Sequence, residues 1–336
     1  MTILVTGGAG YIGSHTCVLL LQAGYEVVIL DNFDNSHPEV INRITKIAGK
    51  APLFCQNGDV RNRDLVEKLL LEYKCSAVIH FAGLKAVGES EEKPLHYYDC
   101  NVNGTLCLLQ AMNQTGVKKI VFSSTATVYG KPVYLPYDEK HPCVPENVYG
   151  RTKLIVENML RDLYSSDPEW AISILRYFNP VGAHDSGLIG EDPKGIPNNL
   201  MPIVAQVAAG RRDRLMVWGN DYDTRDGTGV RDYIHVMDLA LGHISALKTL
   251  DKPSCETINL GCGKGQSVLE VIHEFERISN RHIQYEIGPR RLGDIAEFYA
   301  DPKTAKDKLK WEAKHSLESM CRDMWHFQSK NPNGYQ

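Results

Sequence analysis

The sequence predicts an α/β fold, a doubly wound parallel sheet followed by a smaller, mixed α/β C-terminal lobe. Three observations carry this. Short, continuously apolar β-rich runs alternate with helix-prone stretches through the first half of the chain, as strands buried on both faces of a parallel sheet do. The first run opens into a glycine-rich turn and then a helical pattern. Near residue 177 the rhythm breaks into a long stretch marked by Gly182, Gly187, Gly190, Pro193, Gly195 and Pro197; irregular stretches of that length inside a compact domain are usually functional.

In order, strands are expected at 3–6, 26–30, 52–55, 77–81, 119–123 and 171–176, separated by helices near 12–22, 38–48, 62–73, 92–115 and 147–166. Right-handed crossovers would put helices on both sheet faces. Beyond the break, strands are expected at 215–218, 231–235, 257–260 and 283–286, and helices near 236–249, 267–279 and 316–329. The expected division is a lobe at 1–176 and a second at 177–336, with some chain crossing back to the first.

The 37 Lys and Arg against 41 Asp and Glu leave a net charge of −4, which argues against nucleic acid and membrane surfaces as partners. No apolar run is long enough to span a bilayer, and the N-terminus lacks a basic, cleavable leader pattern. Nine cysteines without CxxC spacing read as reduced thiols of a cytoplasmic chain, and the Cys and His spacing supports no metal site.

The first strand runs into Thr6-Gly7-Gly8-Ala9-Gly10-Tyr11-Ile12-Gly13. Strand, glycine turn and helix in that order make a dinucleotide fingerprint of the Rossmann type: the turn is tight, the backbone must approach a pyrophosphate, and the helix N-terminus favours an anion. Asp31 ends the second strand, about eighteen residues past Gly13. A carboxylate there grips an adenosine ribose diol and repels a 2′-phosphate, so the cofactor expected is NAD rather than NADP. Asp59 follows the third strand, where it would reach the adenine edge and cap the helix near 62–73. Phe81, Ala82 and Gly83 follow the fourth strand and face the same crevice, with Lys85 as a phosphate or sugar contact.

Tyr149 and Lys153 stand at i and i+4 and share a helix face. An ammonium beside a phenol lowers its pKa from about 10 toward neutrality, and such a tyrosine can take a proton from a sugar hydroxyl as hydride leaves the same carbon. The fifth strand ends Ser123-Ser124-Thr125-Ala126-Thr127, placing hydroxyls in the crevice. Residue chemistry alone leaves open which of them reacts.

These blocks, with 80–90 (His-Phe-Ala-Gly-Leu-Lys-Ala-Val-Gly-Glu-Ser), 176–184, 195–202, 226–236 and 290–294, resemble the UDP-glucose 4-epimerase family of the extended short-chain dehydrogenase/reductase superfamily over essentially the whole chain. The resemblance implies a tightly bound NAD, regenerated each turnover, with UDP-glucose and UDP-galactose as partners, interconverted by C4 oxidation, turning of the 4-keto sugar and re-reduction. It implies Tyr149 as base, Lys153 as its electrostatic partner and ribose anchor, and Thr125 as the hydroxyl near the sugar, where Ser is more usual. For NAD it adds Tyr11, Ile12, Asn32, Asn35, Ser36, Val60, Asn101, Tyr177 and Phe178. For the UDP-sugar it adds Asn179, Asn199, Leu200, Met216, Trp218, Arg231, Tyr233, Arg291 and Asp294, together with Lys85, while bulk at Phe298 would disfavour N-acetylated sugars. The long helices near 92–115 and 147–166 would pair in a homodimer. Two alternatives stay open: epimerisation of UDP-xylose and UDP-arabinose, and a nucleotide-sugar 4,6-dehydratase, which would need titratable groups where Ala126 and Thr127 stand.

Overall fold

A computed structural model describes residues 1–335 apart from 196, 198, 292 and 293. The first half comprises β1 (Thr2–Thr6), α1 (Tyr11–Gln22), β2 (Glu26–Asp31), α2 (Glu39–Ala48), β3 (Phe54–Asn57), α3 (Arg63–Glu72), β4 (Cys75–His80), α4 (Val87–Glu92), α5 (Pro94–Tyr97), α6 (Gly104–Thr115), β5 (Lys119–Thr125), α7 (Val148–Ser166) and β6 (Ala171–Tyr177). Then follow β7 (Asn179–Val181), α8 (Leu200–Ala208), β8 (Leu215–Trp218), β9 (Val230–His235), α9 (Val236–Thr249), β10 (Ser254–Leu260), β11 (Gly265–Ser267), α10 (Val268–Ser279), β12 (Tyr285–Gly288), β13 (Glu297–Phe298) and α11 (Leu317–Lys330).

Seven strands form one parallel sheet in the order β10-β6-β5-β4-β1-β2-β3. Alternate residues of β1 serve opposite faces. Ile3 and Val5 pack with Val18, Leu20 and Ile44 of α1 and α2, whereas Leu4 packs with Leu69, Leu108 and Leu160 of α3, α6 and α7. All of these are buried, so the strands could carry continuous apolar sequence. The fold class is the Rossmann-type α/β sheet that the alternation predicts.

Several elements differ from expectation for local reasons. The third strand begins two residues late, after Pro52, which has no N–H to give a ladder. The single helix expected over 92–115 is broken: Pro94 restarts the chain, and Tyr98–Asn103 widens into a π-helical turn before α6. The strand expected at 257–260 is longer and lies in the main sheet, parallel to β6. Helix α9, also late in sequence, packs on α1.

A separate apolar core joins α8, α10 and α11 through Val204, Val271, Phe275 and Met324. Beside it β9 joins β7, β11 and β13, and β8 pairs with β12. Among the described residues, no helix is long and apolar enough to cross a membrane, and no group of three or more His, Cys, Asp or Glu is placed to hold a metal.

Candidate active site

One cleft of about 710 Å³ opens at the carboxyl ends of β1, β2, β4 and β5, where ligands of such sheets bind. Its floor is the β1–α1 turn. Gly7 has φ of +70°, and a Cβ there would lie 2.7 Å from Ala82 N; at Gly13 a Cβ would lie 2.2 Å from Gly7 O. Only glycine permits both approaches. Gly10 caps α1, whose first turn carries no acidic side chain, so its free amides suit a pyrophosphate.

Asp31 is buried. Its Oδ2 accepts from Ala9 N at 2.9 Å, and its Oδ1 accepts from Phe33 N at 2.9 Å and Ser36 Oγ at 2.8 Å. Each carboxylate oxygen has two lone pairs, so Oδ2 keeps one for a ribose hydroxyl. These features fit NAD. Asn32, Asn35, Ser36, Val60, Phe81, Ala82, Gly83, Tyr177 and Phe178 line the same cleft, as do Tyr11 and Ile12.

Asp59 also lines it, held by Arg61 Nη2 at 2.7 Å; the hydrogen bond from Arg61 brings its carboxyl down to about 2. The expected cap of α3 is corrected: Asn62, not Asp59, accepts from Leu65 N. Asn101 lies behind the wall. Its carboxamide accepts from Leu84 N at 2.8 Å and donates to Thr152 Oγ1 at 3.0 Å, tying the loop after β4 to α7.

Thr125, Tyr149 and Lys153 meet in this cleft. Helix α7 starts where it does because Asn147 Oδ1 accepts from Gly150 N at 2.8 Å. Two acceptors of α4 hold its first turn: Glu91 Oε1 takes Val148 N at 2.7 Å and Ser90 Oγ takes Tyr149 N at 3.2 Å. Thr125 ends β5 and accepts from Thr127 N at 3.1 Å. Neither Ser90 nor Glu91 is legible as a site residue, because both act on α7 from a distant segment.

In the protein alone, burial sets the electrostatics of the Tyr149–Lys153 pair. Burial pushes the Tyr149 phenol up to about 12, with a hydrogen bond from Thr125 opposing. Burial pushes Lys153 down to about 8, with Glu157 opposing. In the protein alone the Lys153 ammonium donates to Ser123 O at 2.9 Å, and desolvation of the phenol prevails over any lowering.

Beneath lies a buried polar network. Glu157, one turn after Lys153, accepts from Ser124 Oγ at 2.5 Å and from Arg176 Nε at 3.0 Å and Nη2 at 2.6 Å. On the opposite wall Glu191 accepts from Lys85 Nζ at 2.7 Å and from Asn199 Nδ2 at 2.8 Å.

Asn179 and Asn199 line the cleft; Leu200, Met216, Trp218, Arg231, Tyr233, Arg291, Asp294 and Phe298 do not. The strand register ties several of them to it. Asn179 pairs with Tyr233 across β7–β9, and Phe298 with Arg231 across β13–β9. Arg231 Nη2 reaches Asp294 at 3.1 Å, the Arg291 guanidinium lies 4.9 Å from the Trp218 ring, and Met216 is the β8 partner of Glu286. Tyr233 is buried in the second core. Leu200 opens α8. The Phe298 ring lies 5.1 Å from that of Phe178, a cleft residue.

A dinucleotide cradle that opens onto a Tyr-x-x-x-Lys helix and a hydroxyl-bearing strand end defines a short-chain dehydrogenase/reductase of the extended type. A family model described as GDP-mannose 4,6 dehydratase matches residues 4–324. The UDP-glucose 4-epimerase of Bacillus subtilis is 57% identical, covering 100% of this chain and 99% of that protein. The crystal structure of UDP-glucose 4-epimerase from Bifidobacterium longum in complex with NAD+ and UDP is 52% identical with a TM-score of 0.96, covering 100% of both chains. That from Stenotrophomonas maltophila, with bound NAD and formylated UDP-arabinopyranose, is 51% identical with a TM-score of 0.97, covering 99% of both. The chain belongs to the UDP-glucose 4-epimerase family, within the group that the dehydratase model describes, and is an epimerase.

Proposed function

We propose that this chain interconverts UDP-galactose and UDP-glucose, with NAD kept in place through each turnover. The observation that carries the reading is the convergence of Thr125, Tyr149 and Lys153 on the cleft floored by the Gly7–Gly13 turn and Asp31. The first lobe, 1–176, holds NAD, and the second, 177–336, holds UDP. Bound NAD supplies a reversible hydride acceptor and a positive charge. Tyr149 Oη takes the proton of the sugar 4-hydroxyl and returns it. With the phenol at about 12, it ionises near neutrality only beside positive charge; Lys153, at about 8, is mostly ammonium at pH 7. Thr125 hydrogen-bonds the same hydroxyl and orients it.

Asn179, Asn199, Leu200, Arg231, Tyr233, Arg291 and Asp294 hold UDP, with Met216 and Trp218 beside them and Lys85 on the phosphates. A guanidinium suits a diphosphate through paired, charge-assisted hydrogen bonds. Gripping the nucleotide leaves the sugar free to turn. The relatives with bound NAD and UDP support this assignment.

Loss of 4,6-dehydratase activity follows from the sequence after Thr125: Ala126 and Thr127 have no titratable group to drive elimination. A pentose reading has an observation behind it, the arabinopyranose nucleotide in the Stenotrophomonas maltophila relative. The assay is incubation with UDP-galactose without added NAD, following UDP-glucose by chromatography, with UDP-xylose in parallel. Product UDP-glucose is the expected result. No product even with NAD supplied, or a dehydrated keto-sugar, overturns the proposal; turnover of UDP-xylose alone would favour the pentose reading.

Phe298 packs between Phe178 and Tyr137, with ring separations of 5.1 and 4.8 Å. Phe298→Ala is expected to raise kcat/KM for UDP-GlcNAc about tenfold or more relative to UDP-glucose by removing ring bulk. Steady-state kinetics on the two sugars checks this.

We also propose a cytoplasmic homodimer. Leu95 is 83% exposed, Leu106 42% and Ile155 36%, all on the helices flanking the sheet. Apolar side chains of this kind suit a helix-to-helix contact with a second copy. Light scattering in solution tests it.

A further inference from the structure

The adenosine side of the cleft is roofed by a strap, residues 187–194, that belongs to neither β7 nor α8. It is tied to the N-terminal lobe through Asn35 and Arg43 and to the C-terminal tail through Asn331 and Tyr335. Lys194 N donates to Asn35 Oδ1 at 3.0 Å. The Arg43 guanidinium donates to Leu188 O at 2.8 Å and to Asn331 Oδ1 at 2.6 Å, and Asn331 Nδ2 donates to Gly187 O at 2.9 Å.

Tyr335 makes the densest of these ties. Its hydroxyl accepts from Gly190 N at 2.8 Å and donates to Gly190 O at 3.0 Å, and its own N–H donates to Asp192 Oδ2 at 2.7 Å. Both backbone groups of one strap residue are thereby held by one side chain. The ring lies 5.4 Å from that of His37 and 5.5 Å from that of Phe327, with the Arg43 guanidinium 4.8 Å from its centroid. The approach is as close as glycine permits: a Cβ at Gly334 would lie 2.3 Å from Asp192 Oδ2, and one at Gly190 would lie 2.5 Å from the Phe327 ring. Between Gly190 and Asp192 sits Glu191, which holds Lys85 and Asn199.

Tyr335, Gly190 and Asp192 line the cleft beside Asn35 and Ser36, at the end of β2 where Asp31 stands. A dinucleotide seated on Asp31 therefore lies under the strap. We propose that Tyr335 is a positioning residue that clasps this strap over the adenosine half of the cofactor, so that NAD leaves only when the clasp opens. The inference rests on the NAD-dependent reading above and concerns how long the cofactor stays.

The test uses the full chain, purified as it exists, and the variants Tyr335→Ala and Tyr335→Phe. NAD is extracted and counted per chain after gel filtration. Its release is timed by trapping free NAD with alcohol dehydrogenase and ethanol and following NADH absorbance. Tyr335→Ala is expected to release NAD at least about tenfold faster, the effect of losing hydrogen bonds and ring packing together. Tyr335→Phe keeps the ring and is expected to fall between that variant and the parent. Activity lost by either variant on dilution is expected to return when NAD is added, which a merely unfolded variant would not show. If Tyr335→Ala fails to fold, Tyr335→Phe decides. Parental release rates in the folded variants overturn the inference and leave the epimerase reading standing. A parent chain that binds no NAD at all overturns that reading and the inference with it.

Discussion

Tyr149→Phe is expected to lower kcat by about 10²–10⁴-fold, the range for losing a positioned general acid–base group, while UDP affinity stays unchanged. The ring keeps its place at the start of α7, because the ties there are to Val148 and Tyr149 backbone N–H groups. Only the proton carrier is lost. Rapid mixing with UDP-galactose should show no reduction of bound NAD. Lys153→Met separates the electrostatic part. With burial holding the phenol at about 12, removal of the ammonium leaves it harder to ionise, so the rising limb of the kcat–pH profile is expected to move to higher pH. A profile that stays in place would show that Lys153 does not act on the phenol.

Arg176→Met is expected to cost about 3–5 kcal/mol of stability, as breaking a buried pair does. Glu157 is fully buried. Burial raises its pKa, but hydrogen bonds from Arg176 and the Arg176 charge bring it below the ordinary value. Without Arg176, burial is opposed only by the hydrogen bonds from Ser124 and Arg161, and the folded-state pKa is expected to rise above the unfolded one. Stability from such a group is present at low pH and lost as pH rises through the folded value. The deficit of Arg176→Met should therefore be larger at pH 7 than at pH 5 in denaturant titrations. Adding Glu157→Leu should recover much of it, since no charge is then left buried. An equal deficit at both pH values would refute the account.

How much of this was legible follows from where each signal lies. The glycine turn, Asp31 and the Tyr149–Lys153 pair are local patterns, and the structure gathers them in one cleft. Six strands of the main sheet were legible too, apart from small shifts, whereas β10 was expected in the second lobe and lies beside β6. Partners that act across the chain were not: Ser90 and Glu91 on α7, Glu157 under Ser124, and Glu191 between Lys85 and Asn199 are ordinary polar residues until folding brings them to their targets. The raised phenol of the protein alone was hidden for a related reason. Spacing reveals that a lysine is near a tyrosine; it does not reveal that both are dehydrated or that the ammonium has Ser123 O to bond.

The place of β10 at the end of the main sheet carries a consequence for how the chain is made. Its partner β6 ends at Tyr177, and β10 begins at Ser254. At a synthesis rate of roughly 5–20 residues per second, β6 waits on the order of 4–16 seconds on the ribosome with one ladder unpaired. A bare, apolar edge of that kind is a template for another chain. Crowded polysomes are thus the setting in which this protein is most exposed to misassembly, and a chaperone that covers a β edge for some seconds would act during this interval.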